Sequence, residues 1–181
     1  MGKLVEDNLL DSIDENAKGT ILRSMAIFTA MELCGSFLTG KTGPGTTEMN
    51  FKKFCESEYM LQAYHKVSCL LYSIFRNGVA HSYVPKGAAH LTSDPGAASC
   101  HLNFYDSGIC IYVPTLAKDV GNGIKNLKDK IKKDEALKKN YHFVFQELER
   151  IGKEEYQKFI KKNNISTSAG NFVGDISIDL E

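Results

Sequence analysis

Residues Val67–Tyr83, VSCLLYSIFRNGVAHSY, decide how the rest of the chain is read. Val67, Leu70, Leu71, Ile74 and Phe75 recur at helical spacing, so the segment predicts an amphipathic helix with its apolar face on a core. The helix has to stop before Pro85, because the residue ahead of a proline is pushed out of the helical region. Its C-terminal end carries Arg76, Asn77, His81 and Tyr83. If the helix runs through Ser82, Asn77 and His81 share a face at i,i+4, and Arg76 and Tyr83 share one at i,i+7.

On either side of this segment the pattern is mostly helical. Leu4–Ile13 predicts a short helix ending near Gly19. Thr20 is placed to cap the next, whose apolar face carries Ile21, Leu22, Met25, Phe28 and Leu33. Gly40–Thr47, GKTGPGTT, is a loop by composition, and Thr47 can cap a third helix bearing Phe51, Phe54 and Cys55. Residues 86–100 are rich in small residues and predict a long loop. The period then changes to two. Leu102 and Phe104 alternate, as do Ile109, Ile111 and Val113, around Asp106-Ser107-Gly108, so 101–113 predicts an antiparallel β-hairpin. Pro114-Thr115 opens a helix with Leu116, Val120, Ile124, Leu127 and Ile131 in step. Asp134 can cap a last helix carrying Leu137, Tyr141, Val144, Phe145, Leu148 and Ile151 to about Lys162, with Gly152 as its weak point. Ile176, Ile178 and Leu180 alternate and predict a third strand over 175–180. The expected fold is mainly α: one helical domain over 1–163 with the hairpin inserted at 101–113, then a tail over 164–181.

Composition narrows the function classes. The chain has 181 residues, 43% hydrophobic and 24% charged, which fits one globular domain and excludes a disordered or collagen-like chain. No stretch reaches ~18 uncharged apolar residues, so no membrane partner is expected, and MGKLVEDNLL lacks a signal-peptide core. Five cysteines without CxxC spacing read as reduced thiols in a cytosolic protein. Net charge is zero but uneven: residues 118–162 carry 13 Lys/Arg against 8 Asp/Glu, residues 1–117 carry 9 against 11, and 163–181 carry 0 against 3. That excludes a polycation with a strong nonspecific grip on nucleic acid, although one region can still present a basic face.

Three motifs read as ordinary structure. Gly35–Thr42, GSFLTGKT, matches the letters of a phosphate-binding P-loop. That loop needs a strand before it and a helix after it, whereas here a helical pattern precedes it and Gly43-Pro44-Gly45 follows. His65, His81, His90, His101 and His142 show no metal-ligand spacing with the cysteines. Cys100-His101 beside Cys110 is the one suggestive group, and no metal or other cofactor is expected. Lys125, Lys128, Lys132 and Lys139 form either a stripe along a phosphate backbone or a solvated helix face.

Arg76, Asn77, His81 and Tyr83 remain. They fit a helix C-terminus at which Arg and His satisfy the last carbonyls and Tyr packs below. RNGVAHSY also resembles the Arg-x4-His signature of the HEPN superfamily, in the Arg-x4-His-x-Tyr form of HEPN toxins paired with nucleotidyltransferase antitoxins. The helical bundle suits that family, while the hairpin, the 86–100 loop and the C-terminal strand depart from its minimal form. The resemblance implies a metal-independent ribonuclease assembled as a homodimer through the helix Val67–Tyr83, with RNA as substrate and a protein antitoxin as partner. It makes His81 the base for a ribose 2′-hydroxyl and Arg76 the stabiliser of the phosphate. Asn77 then orients His81 or the phosphate, and Tyr83 is a hydrogen-bond donor or a modification target. The alternative within the same likeness is a non-catalytic module that binds a partner or a nucleotide. Glu32 interrupts the otherwise uncharged Met25–Thr39. It either snorkels to the surface or, as a supporting carboxylate, faces Arg76 or His81 from the neighbouring helix.

Overall fold

Helix α1 (Thr20–Thr39) is the element on which the others are laid. The structure is a computed structural model and describes residues 20–82, 87 and 89–165. Helices α2 (Thr47–Cys55), α6 (Val113–Ile131) and α7 (Glu135–Lys162) all pack against α1. Its apolar residues therefore spread around the helix rather than along one stripe. Phe28 meets Phe51 and Phe75 at ring-centroid distances of 6.0 and 6.2 Å, and Phe37 meets Tyr141 at 5.0 Å. By length and composition α1 could cross a membrane, which the count of uncharged residues did not suggest. Half of its apolar window is buried in this core, and Arg23 and Glu32 interrupt it.

The α1–α2 contact explains two glycines. A Cβ at Gly35 would lie 1.7 Å from the backbone oxygen of Asn50, so the two helices touch backbone to backbone there. Gly40 ends α1 with φ +63°, a left-handed conformation that glycine adopts without steric cost. α2 itself starts at Thr47, with Thr46 one residue earlier in the cap position.

After α2 come α3 (Gln62–His65), α4 (Ser68–Leu70), a six-residue π-helix over Leu71–Arg76 and α5 (Asn77–Ser82). The segment read from sequence as one regular helix thus contains a π-wound stretch. The wider turn rotates everything downstream relative to the apolar residues upstream.

The small sheet is mixed. The predicted hairpin is present as β2 (Phe104–Tyr105) antiparallel to β3 (Gly108–Tyr112). A third strand, β1 (Ala89–Thr92), pairs parallel with β3 from its other side, Leu91 opposite Ile111. That corrects the reading of 86–100 as loop: a four-residue strand is too short to show a period among glycines and alanines, and a 3₁₀ turn at Pro95–Cys100 follows it. Ile109, Cys110 and Ile111 are all buried, as befits a central strand. Asp134 caps α7, its Oδ1 accepting from the amides of Ala136 and Leu137. The predicted helix Leu4–Ile13, Tyr83 and the tail strand 175–180 lie outside the described residues.

Candidate functional site

The end of the π-helix delivers Arg76 against α1. Its Nε and Nη2 donate to Glu32 Oε2 at 3.1 and 2.6 Å, and each side chain is about one-fifth exposed. The guanidinium carbon also stands 5.7 Å from the centroid of the Tyr72 ring, in cation–π range. Tyr72 is held in turn by a 3.0 Å hydrogen bond between its hydroxyl and Thr47 Oγ1. Arg76 is therefore oriented by a carboxylate and an aromatic face. Beside it, Met25, Phe28, Thr29 and Val79 complete a cleft of about 50 Å³, well below the roughly 300–1,000 Å³ of a small-molecule pocket.

Asn77 and His81 follow on α5, four residues apart and on one face. Asn77 is half-buried and His81 exposed. His81 lies five positions beyond Arg76, which is roughly 140° around a helix. One chain therefore does not converge the two: Arg76 turns toward Glu32 while His81 faces solvent.

The sequence reading passed over a second polar cluster. Tyr64, with no exposed surface, donates its hydroxyl to Asp119 Oδ2 at 2.8 Å and lies 2.9 Å from His101 Nε2. The Tyr112 amide donates to His101 Nδ1 at 3.1 Å. An amide can only donate, so Nδ1 is bare and the ring proton sits on Nε2, where it donates to Tyr64. Burial pushes the His101 pKa down, in keeping with a neutral ring. Burial, and then the adjacent Asp119 charge, push the Tyr64 phenol well above its ordinary range. With the phenol locked in its protonated form, this cluster ties α3, β3 and α6 together; it is not poised to give up a proton. Its members lie 37 and 55 residues apart, beyond the reach of any local motif.

The remaining candidates are scattered. The P-loop letters form the end of α1 and the turn after it, where the Lys41 carbonyl accepts from Asn50 Nδ2. His65 donates to the Ser57 carbonyl, and His90 and His142 are exposed. No three His, Cys, Asp or Glu among the described residues come close enough together to hold a metal ion. Lys125 on α6, Lys132 just past its end and Lys139 on α7 are exposed, and Lys128 on α6 is half-buried. All five cysteines are free thiols, and burial pushes Cys34 up to about 12. Comparison with protein-family models, curated proteins and solved structures gives no match to this chain.

Proposed function

We propose that this chain is a HEPN-like, metal-independent endoribonuclease that works as a homodimer across α5. The observation that carries the reading is the order of Arg76, Asn77 and His81 at one helix end, with Arg76 oriented by Glu32. A guanidinium has five N–H donors, and Glu32 takes two from Arg76, leaving three for a phosphate. His81 is exposed, and a neutral imidazole offers one ring nitrogen that can accept a proton. It would take the proton of a ribose 2′-hydroxyl as that oxygen attacks the adjacent phosphorus; the P–O5′ bond breaks, leaving a 2′,3′-cyclic phosphate, and the departing 5′-oxygen takes a proton from water or from the protonated His81. The small cleft and the rotation between Arg76 and His81 support a site completed by a second copy, which would bring His81 of one subunit toward Arg76 of the other.

A second reading has an observation of its own. The Glu32–Arg76 pair also suits a structural Arg, which favours a non-catalytic HEPN-like module that binds a protein partner such as an antitoxin.

Cleavage of RNA in EDTA by the wild type, His81→Ala and Arg76→Ala, each with a melting curve, tests the choice. The nuclease reading expects wild-type cleavage to fall ~10²–10⁴-fold in His81→Ala and roughly 10²–10³-fold in Arg76→Ala. Wild type that cleaves none of the RNAs leaves the module reading standing.

A further inference from the structure

Helix α7 is 28 residues long, yet only Tyr141 and Val144 along it are buried. Leu137 and Phe145 pack partly against the same core. Ile151 sits beside Gly43 of the α1–α2 connection. From Gly152 to Ile165 every residue is exposed except Ile160, so about three helical turns project past the body. The apolar face does not stop where the body stops. Phe145, Leu148, Gly152, Tyr156 and Phe159 recur at spacings of three, four, four and three, in phase with Leu137 and Tyr141. Leu148 is 40% exposed, Tyr156 54% and Phe159 58%. Isolated exposed hydrophobics are ordinary, but a seam in register with the core is an unfilled packing surface.

Three features identify the occupant. The first is charge. Residues 147–155 carry Glu147, Glu149, Glu154 and Glu155 against Arg150 and Lys153, whereas 156–162 carry Lys158, Lys161 and Lys162 with no acid. A second α7 running antiparallel sets Lys161 and Lys162 of each copy beside Glu147 and Glu149 of the other, acids that pair within their own helix with Arg150 and Lys153; a parallel one sets lysine end against lysine end. The second is Gly152. A Cβ there would meet nothing within 4 Å, so the middle of the seam holds a notch. With the two-fold axis between Gly152 and Tyr156, each Tyr156 lies over the Gly152 of the other copy, and Phe159 lies alongside Leu148. The third is length. In that register α7 of one copy ends, at Lys162, level with Gln146 of the other, so the overlap covers the exposed seam from Leu148 to Phe159.

We infer that the projecting half of α7 is an antiparallel self-association seam whose occupant is α7 of a second copy of this chain. The seam spans roughly 26 Å and is narrow, so its area falls toward the small end of specific interfaces and a micromolar Kd is expected. This surface is distinct from the face carrying Arg76 and His81 and does not depend on their role.

Sedimentation velocity of the full chain, from micromolar to hundreds of micromolar, should show reversible self-association: from monomer to dimer through α7 alone or, where the α5 pairing also forms, from that dimer to larger species. Phe159→Glu should raise Kd tenfold or more while leaving the melting curve of the dilute protein in place. Gly152→Gln should also weaken the dimer, by blocking the notch, although glutamine is the better helix former. With Cys69 and Cys100 replaced by serine, spin labels at Lys153→Cys should lie within about 15 Å across the dimer. Labels at Lys161→Cys should lie more than about 20 Å apart. A monomer at every concentration overturns the inference, including one whose stripe is shielded from labelling by its own C-terminal residues. So does a dimer indifferent to Phe159→Glu, or one in which the label at 161 is the closer.

Discussion

Two polar clusters of this fold use similar groups to opposite ends. In the Tyr64–His101–Asp119 cluster each bridging hydrogen has one donor and one acceptor: Tyr112 amide to His101, His101 to Tyr64, Tyr64 to Asp119. Its ring is neutral, its phenol is held protonated, and Tyr64 is wholly buried. In the Glu32–Arg76 pair two charges meet at a partly exposed cleft, and three of the guanidinium donors are left over. The first arrangement is closed, and its worth is in stability. The second is open, with binding capacity to spare. Saturation of donors thus separates a cluster that holds the fold from one able to meet a ligand.

Tyr64→Phe is the largest break of that contrast. It keeps the ring and its packing but removes the one atom through which His101 and Asp119 communicate. His101 Nε2–H and an Asp119 lone pair then lose their partner in a half-buried place. The expected cost is about 2 kcal/mol, or a Tm lower by roughly 4–8 °C for a chain of this size, read by thermal melting.

Arg76→Ala should cost less, about 1 kcal/mol, because Glu32 is exposed enough to recover water as partner and the pair is screened. His81→Ala, at an exposed helix end, should shift stability by less than ~0.5 kcal/mol. Equilibrium denaturation of the two variants sharpens the comparison. If Arg76→Ala proves costlier than Tyr64→Phe, the open pair is in truth the structural one, and the module reading gains.

Much of this was legible in the sequence where the signal is local. The period over Val67–Phe75 identified a helix, Asp106-Ser107-Gly108 identified the turn between β2 and β3, and Asp134 identified the start of α7. A lone carboxylate in an apolar helix was a fair pointer to Glu32, although its partner could have been Arg76 or His81. The π-helix was not legible, because widening one turn changes which residues face the core without changing composition. Nor was β1, whose four residues owe their conformation to pairing with β3 rather than to their own pattern. The GSFLTGKT letters show the converse. Gly35 answers to the Asn50 backbone and Gly40 to a helix end, so two glycines serve packing and read as a motif. Tyr64, His101 and Asp119 are joined only by the finished fold.

The smallest expected effect is a pH dependence, and its sign follows from the same hydrogen-bond chain. Protonating His101 at Nδ1 would set an N–H against the Tyr112 N–H, two donors facing each other. Burial acts the same way, and the Asp119 charge offsets only part of it. The folded pKa therefore lies below the unfolded value of ~6.5. Between those two pKa values the unfolded chain binds more protons than the folded one, so stability falls as pH drops through this window. Above ~6.5 the contribution is fully present, and below the folded pKa no further loss accrues. A single such group gives a slope of at most about 1.4 kcal/mol per pH unit, and His101, being only half-buried, should fall short of that ceiling. Denaturation free energies measured from about pH 7 to 5 on wild type and His101→Gln isolate the effect, since the carboxylates and other histidines are common to both. Glutamine can accept from the Tyr112 amide and donate to Tyr64 but cannot titrate. Its curve should run flatter than wild type across the window, whereas parallel curves would mean that His101 titrates alike in the folded and unfolded chains and that the cluster is less closed than its hydrogen bonds imply.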